Sequence, residues 1–141
     1  MSTTPAAPEA IALAGIHELD AFLEAGAYDS VIARSAELIS QGQNLYPHYL
    51  LRGVAFKKLG AIEDAIACFG KVLELEPGER AALIQIARCL QAVGRVDEAI
   101  PYLAENFYLY PDENSGSQLA LAAVEAKAAD LTLMDMVIRS G

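Results

Sequence analysis

The stretch GAIEDAIACFGKVLELEP, residues 60–77, returns as GRVDEAIPYLAENFYLYP at residues 94–111. Gly60, Ala65, Ile66, Leu75 and Pro77 recur 34 positions on as Gly94, Ala99, Ile100, Leu109 and Pro111. A fixed period of this length marks an array of helix–turn–helix units, none of which can bury its apolar face alone. Such arrays present an extended surface and are not built around a catalytic cleft.

The period extends in both directions. One repeat covers residues 46–79. Its first helix is expected at 47–59, with Pro47 in the first turn and Gly60 closing it. Its second is expected at 63–76, stopped by Pro77-Gly78. The next repeat covers 80–113, with helices at 80–93 and up to Pro111, Asp97 capping the second. Counting back gives a degenerate repeat at 12–45. There Gly26 takes the place of Gly60 and Phe22 that of Phe56, but Val31 replaces Ala65 and Ser35 replaces Phe69.

Counting forward, Asn114 opens a final unit at 114–141. Ser115 or Ser117 can cap a helix from Gln118 to Lys127. Ala128-Ala129-Asp130 then falls at the turn position, before a short helix from Leu131 to Arg139. The alternative is one continuous helix from Gln118 to Arg139, since nothing in that tripeptide forces a break. Residues 1–11 read as a disordered Ser/Thr/Pro/Ala tail.

Composition agrees with an all-α chain. It is 54% apolar but only 7% aromatic, and alanine, the best helix former, supplies much of the excess. The net charge of −9 argues against nucleic acid and against an anionic membrane surface as partners. No Lys or Arg precedes a leader-like apolar run, and no apolar run reaches the length of a membrane span. A cytoplasmic location and no membrane insertion are therefore expected.

The residue types that carry chemistry are sparse. Cys68 and Cys89 belong to no CxxC or Cys/His cluster and read as small apolar residues of helices. His17 and His48 lie in different repeats without an HExxH spacing, and each reads as a surface or groove residue. No phosphate loop or nucleophile elbow occurs. No enzyme activity, metal or cofactor is expected.

The middle repeats resemble the tetratricopeptide repeat (TPR) family. The residues that carry the resemblance are Tyr49, Gly53, Phe56, Ala65, Phe69 and Pro77. In the following repeat they are Leu83, Ala87, Leu90, Ala99, Leu103 and Pro111. The resemblance implies a right-handed superhelix of antiparallel helix pairs, three repeats plus a C-terminal capping helix or partial fourth repeat. It also implies a concave groove lined by the first helix of each pair. The residues it assigns to partner binding there are Leu13, Ile16 and His17, then Leu50, Leu51, Val54, Lys57 and Lys58, then Ile84, Gln85 and Arg88.

Two readings of that groove stand beside each other. Leu13, Ile16, Leu50, Leu51, Val54 and Ile84 form an apolar binding patch, or they pack between neighbouring first helices. Lys57, Lys58 and Arg88, with Arg52 and Arg95 nearby, clamp a carboxylate of the partner, or they pair with Asp20, Glu24 or Glu125. The clamp that family members use for heat-shock chaperone tails needs Lys and Asn where this chain has Ile16, His17, Asp20, Leu50, Leu51 and Val54. No such tail binding is expected.

These features imply a scaffold that binds a protein partner, either a peptide or an amphipathic helix. A bacterial secretion-type chaperone for an apolar partner fits the same size and charge. So does a non-catalytic TPR region of a larger enzyme, such as a glycosyltransferase or methyltransferase. The apolar C-terminal run Leu131, Leu133, Met134, Met136, Val137 and Ile138 adds the expectation of a homodimer through terminal helices.

Overall fold

The structure is a computed structural model that describes residues 8–140. Seven helices follow in order: α1 (Pro8–Glu24), α2 (Tyr28–Ser40), α3 (Tyr46–Lys58), α4 (Ile62–Leu75), α5 (Arg80–Ala92), α6 (Val96–Leu109) and α7 (Glu113–Ser140). Among the described residues there is no strand, and no helix is long and apolar enough to cross a membrane. The chain divides at Pro77/Gly78 into two compact units, α1 to α4 and α5 to α7.

Three short connections turn the chain back on itself. Gly26, Gly60 and Gly94 sit in them with φ of 75°, 82° and 80°, the left-handed region that costs glycine nothing. In each, the residue after the glycine donates its N–H five residues back, Ala27 to Phe22, Ala61 to Phe56 and Arg95 to Leu90. That 6→1 bond satisfies a carbonyl the helix end leaves open. The helices joined this way, α1/α2, α3/α4 and α5/α6, pack as antiparallel pairs.

Several boundaries differ from expectation. Helix α1 begins at Pro8, so residues 8–11 of the expected tail are helical, while residues 1–7 lie outside the described ones. Proline suits a first turn, and Glu9 there complements the helix dipole. Asp97 is not the cap of α6. The turn at Gly94 makes Arg95 the flanking residue, and Asp97 lies inside the first turn.

The final unit departs most. Helix α7 starts at Glu113, one residue earlier than the 34-residue period places it, and runs unbroken for 28 residues. Its start is tied by Asp112, not by Ser115 or Ser117 as caps. The Ser115 N–H donates to Asp112 Oδ1 at 2.7 Å, and the Asp112 N–H donates to Ser115 Oγ at 3.0 Å. This is the reciprocal pattern of a capping box. The turn expected at 128–130 is absent. In the observed register the position of Gly60 and Gly94 is held by Lys127, which cannot take their positive φ cheaply.

In the first unit Leu19, Val31, Leu38 and Ala55 form a buried cluster, flanked by Phe22, Leu23, Tyr28, Ile32 and Leu51. In the second, Leu83, Ile86, Ala87, Leu90, Ala99, Leu103 and Ala122 are buried. One pair of offsets is filled differently in every repeat. It holds Leu19 and Ser35, then Gly53 and Phe69, then Ala87 and Leu103, all buried. At Gly53 the fit is tight, for a Cβ there would stand 2.6 Å from Cε1 of Phe69.

Candidate protein-interaction site

The first-helix residues expected to line a groove fall into two sets, one per unit. In the first unit α1 packs on α3 as well as on α2. Leu13 and His17 are exposed, while Ile16, Leu50, Val54 and Lys57 are half-buried and Lys58 is exposed. Leu51 packs against the buried cluster, so it supports the face from beneath.

Arg52 is not part of a basic face. Its Nη1 donates to the Ile32 carbonyl at 2.7 Å and to Ser35 Oγ at 3.1 Å, and its guanidinium lies 5.2 Å from the centre of the Phe56 ring. The aromatic that the first repeat lost at Ser35 is thus answered by an arginine from the next first helix. Arg52 also faces Cys68, whose thiol is pushed up by burial with the guanidinium opposing. Both cysteines are buried and neither is in a disulfide. Arg95 is likewise engaged, bonding Glu98 through Nη2 at 2.9 Å.

His48 corrects the sequence reading most directly, because it is fully buried. Its Nδ1–H donates to the Gln43 carbonyl at 2.8 Å, leaving Nε2 without a partner among the described residues. Burial holds its pKa below the usual histidine value, with the Gln43 bond opposing. A neutral imidazole results. His17 stays at the surface.

In the second unit Ile84 and Gln85 are half-buried and Arg88 is exposed. Arg88, Gln91, Leu103, Gln118, Leu121 and Glu125 line a cavity of about 190 Å³. Helices α5 and α7 form its walls and Leu103 of α6 its floor. The expected pairing of Arg88 with Glu125 does not form. Among the described residues Arg88 makes no hydrogen bond or ion pair. The cavity thus holds a guanidinium, a carboxylate and two amides over a leucine floor. Its volume is below the roughly 300 Å³ at which small-molecule and cofactor pockets begin. It suits one side chain of a larger partner.

Sequence reasoning missed Gln118 and Leu121 and named Glu125 only as an ion-pair partner of the basic cluster, because the period misplaced α7 by one residue. Leu119 is half-buried, and Leu121 is 63% exposed. The signal was the Asp112-x-x-Ser115 spacing after Pro111, which starts the helix at 113.

A second cavity of about 310 Å³ lies between α1 and α2 in the first unit, with Gly15 and Gln43 in its lining. It contains none of the expected site residues. Glu18 and Arg34, paired at 3.0 Å, stand in its wall.

A human relative, General transcription factor 3C polypeptide 3, is 32% identical over 104 residues. The match covers 70% of this chain and 12% of the relative. Among solved structures, the first TPR of Spaghetti (RPAP3) bound to an HSP90 peptide superposes with a TM-score of 0.73 at 15% identity. That match covers 82% of this chain and 95% of the other. The Yersinia enterocolitica type III secretion translocator chaperone SycD superposes with a TM-score of 0.76 at 15% identity, covering 86% and 90%. These likenesses show an all-α helical repeat fold. Residues 58–128, half of the chain, match the tetratricopeptide repeat family model. With the paired helices, the turn glycines and the small–large offsets in place, the chain belongs to the tetratricopeptide repeat family.

Proposed function

We propose that the chain is a non-catalytic protein-interaction scaffold whose first helices bind a peptide or an amphipathic helix. The observation that carries this reading is the cleft between α5 and α7, where Arg88, without a partner among the described residues, stands beside exposed Leu121. An unpaired guanidinium at the edge of an apolar hollow suits a partner segment that carries an acidic residue next to an apolar one. In the first unit, Leu13, Ile16, Leu50 and Val54 offer apolar contact, with Lys57, Lys58 and His17 at the edges. In the second, Ile84 and Gln85 flank Arg88. The Spaghetti domain binds an HSP90 peptide on the same fold. Leu50, Leu51 and Val54 stand where a chaperone-tail clamp needs polar groups, so a different peptide is expected here. A cytoplasmic location accords with this role.

The test begins with affinity capture and mass spectrometry to name the partner. Arg88→Glu and Leu121→Glu should each weaken its binding by about 2 kcal/mol or more, as truncation of central interface residues does. Leu50→Glu and Val54→Glu test the first unit in the same way. Helical circular dichroism should be unchanged in all four. Wild-type affinity in the folded variants sinks the assignment.

A secretion-type chaperone is the second reading, favoured by the likeness to SycD over 90% of that protein's length. Co-purification with an apolar export substrate, and its loss in Leu50→Glu, would support it.

A further inference from the structure

The cleft of the second unit holds one charge of each sign. Arg88 stands on α5 and Glu125 on α7, and neither makes an ion pair among the described residues. Helix α6 packs on both helices and is joined to each by a short connection, so α5 and α7 run in the same direction. Arg88 lies eight residues after the start of α5 and Leu121 eight after the start of α7, so these two stand level. Glu125 follows Leu121 one turn further on, which sets it about 6 Å along the cleft from Arg88 at 1.5 Å per residue. Gln91 and Gln118 complete the polar lining, and both are half-buried. Each amide carries donors and an acceptor, so it can bond a group of either charge.

A partner group of one sign alone does not satisfy this cleft. An acidic side chain that reaches Arg88 brings its carboxylate toward Glu125, while the bulk of the partner strips water from both. A basic side chain at Glu125 meets the same penalty at Arg88. A segment that brings both charges leaves neither wall unpaired. The spacing of about 6 Å corresponds to one helical turn or to two residues of extended chain, so the two charges stand close in the partner's sequence.

We propose, resting on the interaction reading above, that this cleft selects a partner segment carrying an acidic and a basic residue within one turn of each other. The acidic residue pairs with Arg88 and the basic one with Glu125. An apolar neighbour fills the space between Leu121 and the Leu103 floor. Glu125 is thus a specificity residue, which turns away segments that are acidic alone.

The test is selection of phage-displayed random peptides on the full chain, keeping those that Arg88→Glu no longer binds. These peptides should carry the acidic and basic pair. Glu125→Lys, with helix content kept, should weaken them at least about 10-fold, as loss of a close interfacial charge pair does. Exchanging the basic residue of the peptide for glutamate should restore binding to Glu125→Lys. Peptides that bind Glu125→Lys as tightly as the wild type, or more tightly, overturn the proposal and leave the interaction reading standing. So does a loss that the exchanged peptide does not recover. Selection that yields no peptide dependent on Arg88 overturns the interaction reading itself, and this proposal with it.

Discussion

At the residue scale, three buried positions determine what single substitutions do. Gly53 is small because Phe69 fills its space. Gly53→Ala alone should cost about 1–3 kcal/mol, the range for overpacking. Paired with Phe69→Leu it copies the Ala87/Leu103 repeat and should recover at least half of that, read from urea unfolding as a double-mutant cycle. Asn106 is 1% exposed, and neither side-chain polar atom has a partner among the described residues. The preceding repeat has Val72 there. Asn106→Val should therefore stabilise the protein by about 1–3 kcal/mol, the cost of an unpaired buried polar group.

His48 gives a pH dependence with a definite sign. Its folded pKa lies below the unfolded value of about 6.5, so the unfolded chain takes the proton first. The stability tied to it is complete above that pH and falls as pH drops through it toward the folded pKa. Subtracting the urea midpoints of His48→Leu from those of the wild type between pH 7 and 5 isolates this slope. Equal slopes in both proteins would remove the assignment.

At the element scale, the ends of helices were the parts most and least legible in the sequence. Gly26, Gly60 and Gly94 announce three turns because only glycine takes a positive φ without strain, and the structure has a turn at each. Helix α7 was misplaced because the period assumes a constant repeat length. One residue fewer before Glu113 rotates every later side chain by a residue's turn, bringing Gln118, Leu121 and Glu125 to the cleft. The burial of His48 was not legible because it depends on where the chain after Gly42 presents the Gln43 carbonyl. Ser35 looked like a lost aromatic, and its answer, Arg52, comes from another repeat. The side chains of Leu131, Leu133, Met134, Met136 and Val137 lie outside the described residues, and Ile138 is exposed.

The start of α7 carries its own test. Asp112 is held below the usual carboxylate range by the Ser115 N–H first and by Arg80 at 2.8 Å second. Its contribution is present above the unfolded pKa and is lost as pH falls through the folded one. Asp112→Ala should speed amide exchange over the first turn of α7 at neutral pH and leave α3 and α4 unchanged. Uniform exchange across both would show that the cap does not act locally.

At the scale of the whole molecule, charge sets how the chain meets others. With a net charge of −9 and a pI near 4.6, repulsion between copies vanishes close to that pH, and turbidity should peak there. The same acidity should speed association with a partner whose binding segment is flanked by basic residues, an effect that added salt suppresses. Arg88 acts at short range within that field, so Arg88→Glu should change dissociation more than association. Stopped-flow mixing over a salt series separates the two.

The unequal filling of one pair of offsets has a consequence for how the chain reaches its native state. Leucine with serine, glycine with phenylalanine and alanine with leucine make three hairpins whose halves are not interchangeable. A phenylalanine brought against Leu19 collides, and a serine brought against Gly53 leaves a void. Arrays of near-identical repeats are prone to join the wrong neighbours while folding. Here the close fit of Phe69 over Gly53 is matched by neither neighbouring pair, so a hairpin that joins helices of different repeats should be less stable than the native one.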